Sequence, residues 1–230
     1  MVQRRLPATL ALILSLAGAV AAQAQTTDRW ESVVAAFEAA DHVSPPPKGE
    51  IVFTGSSSIQ RWDLSASFPD LKTINRGMSG SELSDAVRYV DRLVIAYEPR
   101  LVVVYAGDND INNGHTSEQV AVDFERFVAK VHAKLPQTRI VFIGLKPSIL
   151  RWGQVDRMRA ANTMVRAFSA HDDLVAFLDV DGAMLGWDEK PRRELFVEDG
   201  LHMTAEGYRL WSTLLRPFLA PPVVLSSANR

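Results

Sequence analysis

The chain has 230 residues, enough for one α/β domain with a buried core and too few for two domains with linkers. Its 25 basic and 27 acidic residues give a formal net charge of -2 with no long run of either sign, which excludes the electrostatic footprint of a nucleic-acid-binding protein. There is no cysteine, so disulfides, thiolate catalysis and cysteine-ligated metal sites are excluded together.

The chain opens on a short basic patch, Met1 to Arg5, followed by the apolar stretch Leu6 to Ala22 and by Ala22-Gln23-Ala24, which has the small-x-small form that signal peptidase cuts. The stretch falls short of the ~20 apolar residues a spanning helix needs, and Pro7 and Gly18 interrupt it. Residues 1–24 are therefore expected to be a signal peptide cut after Ala24, giving a periplasmic or secreted protein with no stable membrane insertion after cleavage. Residues 25–49 follow as an N-terminal helix and linker. Trp30, Val33, Val34 and Phe37 fall on one face of a helix predicted over Asp28 to Asp41, and Pro45-Pro46-Pro47 ends it.

From residue 50 the pattern alternates. Strands are predicted at Glu50 to Thr54, Leu71 to Asn75, Leu101 to Tyr105, Arg139 to Ile143 and Leu174 to Leu178, the third being the near-continuous apolar run of a strand buried on both faces. Helical patterns lie between and after them, at Glu82 to Tyr97, Ser117 to Leu135, Val155 to Ala170 and Ala205 to Leu219. Alternation of this kind implies a single α/β domain over residues 50–219 with a parallel, doubly wound sheet. Residues 220–230, with Pro221-Pro222 and a small polar end, read as a loosely attached tail.

In such a sheet the ligand site lies beyond the carboxyl ends of the strands. The first strand ends in Gly55-Ser56-Ser57-Ser58, where a serine at a helix start is either a nucleophile near backbone N–H groups or a helix cap. The second leads into Asn75-Arg76-Gly77-Met78-Ser79-Gly80, and Gly80 is the candidate whose N–H can approach a ligand with no Cβ in the way. The third ends in Gly107-Asp108-Asn109-Asp110, where Asn109 offers a neutral N–H donor to a negative oxygen. Asp108, Asp110, Asp179 and Asp181 also suit a hard metal ion, but neither Asp-x-Asp has the Gly and closing Glu of a calcium loop, and no metal is expected. Near the C-terminus, Asp199 and His202 stand three residues apart in a Gly-containing turn before a helix. That spacing lets the carboxylate accept from one imidazole nitrogen while the other faces a nucleophile. His42, His115, His132 and His171 read as surface or capping residues.

These four segments, in this order, resemble the conserved blocks of the SGNH hydrolase superfamily, also called GDSL-like lipases or esterases, over roughly residues 50 to 217. The resemblance implies a three-layer α/β/α sandwich with a five-stranded, flavodoxin-like parallel sheet. It also implies Ser57 as nucleophile, His202 as base, Asp199 as its orienter, and the Ser57 N–H, Gly80 N–H and Asn109 amide as the oxyanion hole. The sequence departs from the family at Ser56, where aspartate is usual, and Ser58 follows directly; Phe53, Gly55 and Trp62 keep the family's phase around Ser57. The implied activity is hydrolysis of short-chain or acetyl esters, with a small-molecule or glycan ester as partner and no cofactor. A lysophospholipase or thioesterase and a non-catalytic carbohydrate-binding relative are the alternatives. After the fourth strand, Lys146 to Trp152 either lines the site, with Trp152 touching substrate, or packs Trp152 under the next helix.

Overall fold

The computed structural model describes residues 29–220, so the predicted signal peptide and nearly all of the predicted tail lie outside the described residues. Five strands form one sheet: β1 (Ile51–Gly55), β2 (Thr73–Gly77), β3 (Leu101–Tyr105), β4 (Arg139–Ile143) and β5 (Val175–Leu178). Every neighbouring pair is parallel and the order is β2-β1-β3-β4-β5, the flavodoxin-like arrangement.

Side chains alternate across the sheet because successive Cβ atoms in a strand point to opposite faces. On one face Val52, Val102, Val104, Ile140 and Phe142 pack with helices α1 (Glu31–Val43), α4 (Leu83–Arg88), α5 (Val90–Leu93), α7 (Ser117–Lys134) and α8 (Val155–Ser169). On the other, Phe53, Val103, Tyr105 and Val141 pack with α2 (Ser57–Gln60), α3 (Leu64–Ser67) and α9 (Ala205–Leu219). The short helix α6 (Asp108–Asn112) follows β3. Helix α1 is part of this body: Trp30 and Val34 are in the core, and Asp41 takes hydrogen bonds from Arg76 and Tyr97, each at 2.5 Å.

Two elements differ from the sequence pattern. Strand β2 begins at Thr73 and runs on to Gly77, because its inward residues are Ile74 and Arg76, and a buried arginine does not read as a strand residue. The desolvation of Arg76 is offset by three donated hydrogen bonds, to Tyr97, Asp41 and the Asn75 carbonyl. The predicted helix over Glu82 to Tyr97 is three pieces, α4, α5 and a 3₁₀ turn at Ile95–Tyr97. The apolar spacing survives the breaks, since Leu83, Ala86, Val90, Leu93, Val94 and Tyr97 are all buried.

The register places Gly55 opposite both Gly77 and Tyr105, so the loops after β1, β2 and β3 start level with one another. The chain reverses its winding between β1 and β3, and at such a switch point adjacent loops splay apart and leave a crevice. Gly55 is the hinge: its φ is +131°, and a Cβ there would lie 1.9 Å from the Tyr105 carbonyl oxygen. Gly55→Ala is therefore expected to lower the unfolding free energy in urea by about 3 kcal/mol or more. Gly153→Ala, where a Cβ meets nothing within 4 Å, is expected to stay within about 0.5 kcal/mol of the parent.

Candidate active site

Ser56 has extended backbone and caps α2, which makes Ser57 the first helical residue. The N–H groups of a helix's first turn have no partner in the helical ladder, and the Ser57 N–H is one of them. The three serines have different surroundings. Ser56 is 1% exposed and its N–H donates to the Tyr105 carbonyl; Ser58 is 2% exposed and its Oγ accepts from Lys146 Nζ at 3.2 Å. Ser57 Oγ meets His202 Nε2 at 3.0 Å, across 145 residues of sequence.

His202 Nδ1 lies 2.6 Å from Asp199 Oδ2, while Asp199 Oδ1 accepts from the backbone N–H groups of Leu201 and His202 at 2.8 and 2.9 Å. An ionised carboxylate only accepts, so the ring proton resides on Nδ1 and the Nε2 lone pair faces the Ser57 hydroxyl. Desolvation pulls the Asp199 carboxyl upward, but the hydrogen bonds from the His202 ring and from the two N–H groups outweigh it and hold the group well below the ordinary carboxylate range. The turn itself is built by Gly200, whose φ of +66° suits glycine and whose carbonyl accepts from the Leu150 N–H at 3.0 Å.

Gly80 has φ +83° and belongs to the loop after β2, two residues before the Glu82 cap of α4. That loop is tied to the nucleophile turn through Gly55, whose carbonyl accepts from Met78 N–H at 2.7 Å and from Ser81 Oγ at 3.2 Å. Asn109 lies in α6, 9% exposed, and its Nδ2 donates to the Ser81 carbonyl at 2.8 Å. The β1, β2 and β3 loops are thus bonded into one rim. The arrangement can pass a proton from a serine hydroxyl to an imidazole held by a carboxylate, which is the chemistry of acyl transfer.

A GDSL-like lipase/acylhydrolase family model matches residues 52–210. The chain belongs to this family. Among curated proteins it is 30% identical over 208 residues to the Bos taurus platelet-activating factor acetylhydrolase IB subunit alpha1, covering 84% of this chain and 85% of that one. Among solved structures it is similar to a GDSL-like lipase from Bacteroides thetaiotaomicron, at 18% identity, with a TM-score of 0.69 and coverage of 81% and 96%. It is similar also to a Geobacillus acetyl-xylooligosaccharide esterase, at 16% identity, with a TM-score of 0.60 and coverage of 77% and 97%. These structural likenesses speak to the fold. Family membership places the chain among hydrolases that act on esters.

Next to the Ser57–His202 pair lies a buried ionic cluster that the sequence analysis did not assign. Lys146, 1% exposed, donates to Tyr105 Oη at 3.0 Å, Ser58 Oγ at 3.2 Å and Asp108 Oδ2 at 3.3 Å. Arg151 Nη1 reaches the same Asp108 oxygen at 3.1 Å. Burial works against charge on Asp108, and Lys146 and Arg151 more than offset it and hold the carboxyl below its ordinary range; burial likewise draws the Lys146 ammonium below its own. The segment Lys146 to Trp152 thus meets the site through Lys146 and Arg151, while the Trp152 ring has Arg159 and Lys190 over it, each 5.7 Å from a ring centroid. The other aspartates weighed for metal are engaged elsewhere: Asp179 with Arg166, Asp181 with Arg159, and Asp110 with the Leu83 N–H at 3.0 Å.

Asp110 gives this region a pH signature. Burial is the main cause that pushes its carboxyl up to about 7. The native group therefore binds its proton more tightly than the unfolded one, whose value is about 3.9, so its contribution to stability falls as pH rises from about 4 to about 7 and is level above. Between pH 5 and 8 the parent is expected to lose about 2 to 3 kcal/mol relative to Asp110→Asn in urea denaturation. Curves that stay parallel over that range contradict the assignment.

Proposed function

We propose that the protein is an exported serine esterase that hydrolyses short-chain or acetyl esters, with Ser57 as nucleophile, His202 as base and Asp199 as its orienter. The observation that carries this reading is the unbroken line from Asp199 Oδ2 through His202 to Ser57 Oγ.

Ser57 Oγ attacks the ester carbonyl carbon while its proton passes to His202 Nε2, and Asp199 stabilises the imidazolium that forms. The negative oxygen of the tetrahedral intermediate is taken by the Ser57 N–H, the Gly80 N–H and the Asn109 amide. On collapse the bond to the alcohol oxygen breaks and His202 gives that oxygen its proton. Water then attacks the acyl-serine, giving its proton to His202; as the bond from the acyl carbon to Ser57 Oγ breaks, His202 returns that proton to Oγ and the acid departs.

A short acyl group is supported by the acetyl-ester names of the bovine relative and of the Geobacillus neighbour, and by the buried polar packing next to the nucleophile, where Lys146 is bonded to Ser58, Tyr105 and Asp108. Exposed Ile149, Leu150 and Val197 beside the Asp199 turn offer apolar contact to the alcohol part. The export part of this reading rests on the leader predicted over residues 1–24, with the periplasm or the outside of the cell as the proposed location.

The test is hydrolysis of p-nitrophenyl acetate, butyrate and octanoate by the mature protein. Ser57→Ala is expected to lose roughly 10⁴-fold or more in kcat. Ser56→Ala and Ser58→Ala are expected to keep measurable activity, and the acetate to exceed the octanoate in kcat/KM. Full activity in Ser57→Ala overturns the nucleophile, and a preference for octanoate overturns the short-chain reading in favour of a long-chain acylhydrolase.

A further inference from the structure

We propose that Arg151 is a positioning residue that locks the Asn109 side-chain amide in the orientation an oxyanion requires, with Asp108 holding Arg151 from below. The proposal rests on the esterase reading and extends it to a residue outside the triad and the hole.

The two ends of an asparagine amide have nearly the same shape and differ in hydrogen-bonding sense. At Asn109 both ends are met by groups of fixed sense. Arg151 Nη2 can only donate, and it stands 2.9 Å from Oδ1. The Ser81 carbonyl can only accept, and it stands 2.8 Å from Nδ2. A flipped amide would set N–H against N–H and oxygen against oxygen, so that arrangement is closed off. Nδ2 carries a second N–H, which is left for a substrate oxygen. The charge on Arg151 also polarises the amide and strengthens that second donor.

Arg151 is itself held. Its side chain is 9% exposed, and Nη1 stands 3.1 Å from the Asp108 carboxylate in a charge contact rather than a hydrogen bond. Simple neutralisation of Asp108 does not account for it, because Lys146 already balances that carboxylate one to one. A second buried cation is surplus to charge balance and carries its own desolvation cost, so its contact with Asn109 is the feature that explains its place. The same cluster reaches Ser58, next to the nucleophile, so one set of buried charges sets both sides of the reacting carbonyl.

A double-mutant cycle on p-nitrophenyl acetate, restricted to activity that Ser57→Ala removes, tests this. Arg151→Met leaves Lys146 and Asp108 balanced and is expected to lower kcat roughly tenfold with KM within about twofold, against roughly 100-fold for Asn109→Ala. The double variant is expected to fall no more than about twofold below Asn109→Ala alone, since Arg151 acts through that residue. Losses that multiply overturn the proposal. Should Arg151→Met fail to fold, Arg151→Lys serves, because lysine keeps the charge but cannot bridge Asp108 and Asn109; undiminished kcat in it overturns the proposal. Hydrogen exchange of the Asn109 side-chain amide, read by NMR, needs no substrate and separates failure here from failure of the esterase reading. Exchange is expected to be at least about tenfold faster in Arg151→Met, and an unchanged rate counts against the clamp.

Discussion

The site depends on the packing of α9 against α2 over the central strands. Ser57 opens α2 and His202 lies three residues before the start of α9, so the distance between these two side chains is set by how those two helices meet. Trp62, following α2, lies 5.7 Å from Trp211 of α9, and Trp211 lies 4.9 Å from Tyr105 of β3. Phe53 and Phe68 complete this aromatic group, and Tyr208 Oη donates to the Ser58 carbonyl at 3.0 Å. Large rigid rings in edge and tilted contact leave little room for sliding, which is what a hydrogen bond spanning 145 residues needs.

A second constraint comes from the other face of the site. The turns after β1, β2 and β3 are bonded to one another through Gly55, Ser81 and Asn109, and the buried Lys146, Asp108 and Arg151 support them from β3 and β4. The apolar side holds the Ser57–His202 pair, and the ionic side holds the Asn109 amide. Each is built from parts of the chain far apart in sequence, joined at the switch point of the sheet.

Much of this was legible in the sequence because it rests on local signals. Apolar runs stopped by Gly55 and by Ala106-Gly107 gave strands whose ends carry Ser57 and Asn109, and the Asp199 to His202 spacing is a local turn. The phase among Ser56, Ser57 and Ser58 was carried by Phe53, Gly55 and Trp62, and those residues prove to be the hinge and the aromatic group that fix α2. What sequence reading missed is long-range and ionic. Lys146 and Arg151 leave no periodic trace, and their partner Asp108 sits 38 residues before the first of them. Charged residues soon after a buried strand were the available signal.

The most direct test of the central claim is to label the mature protein with a fluorophosphonate and locate the adduct by peptide mass spectrometry, since the reagent reports an activated serine whatever the natural ester. One adduct is expected, on Ser57, formed rapidly in the parent and nearly abolished in His202→Ala. An adduct on Ser56 or Ser58, or labelling of Ser57 at the same rate without His202, would contradict it.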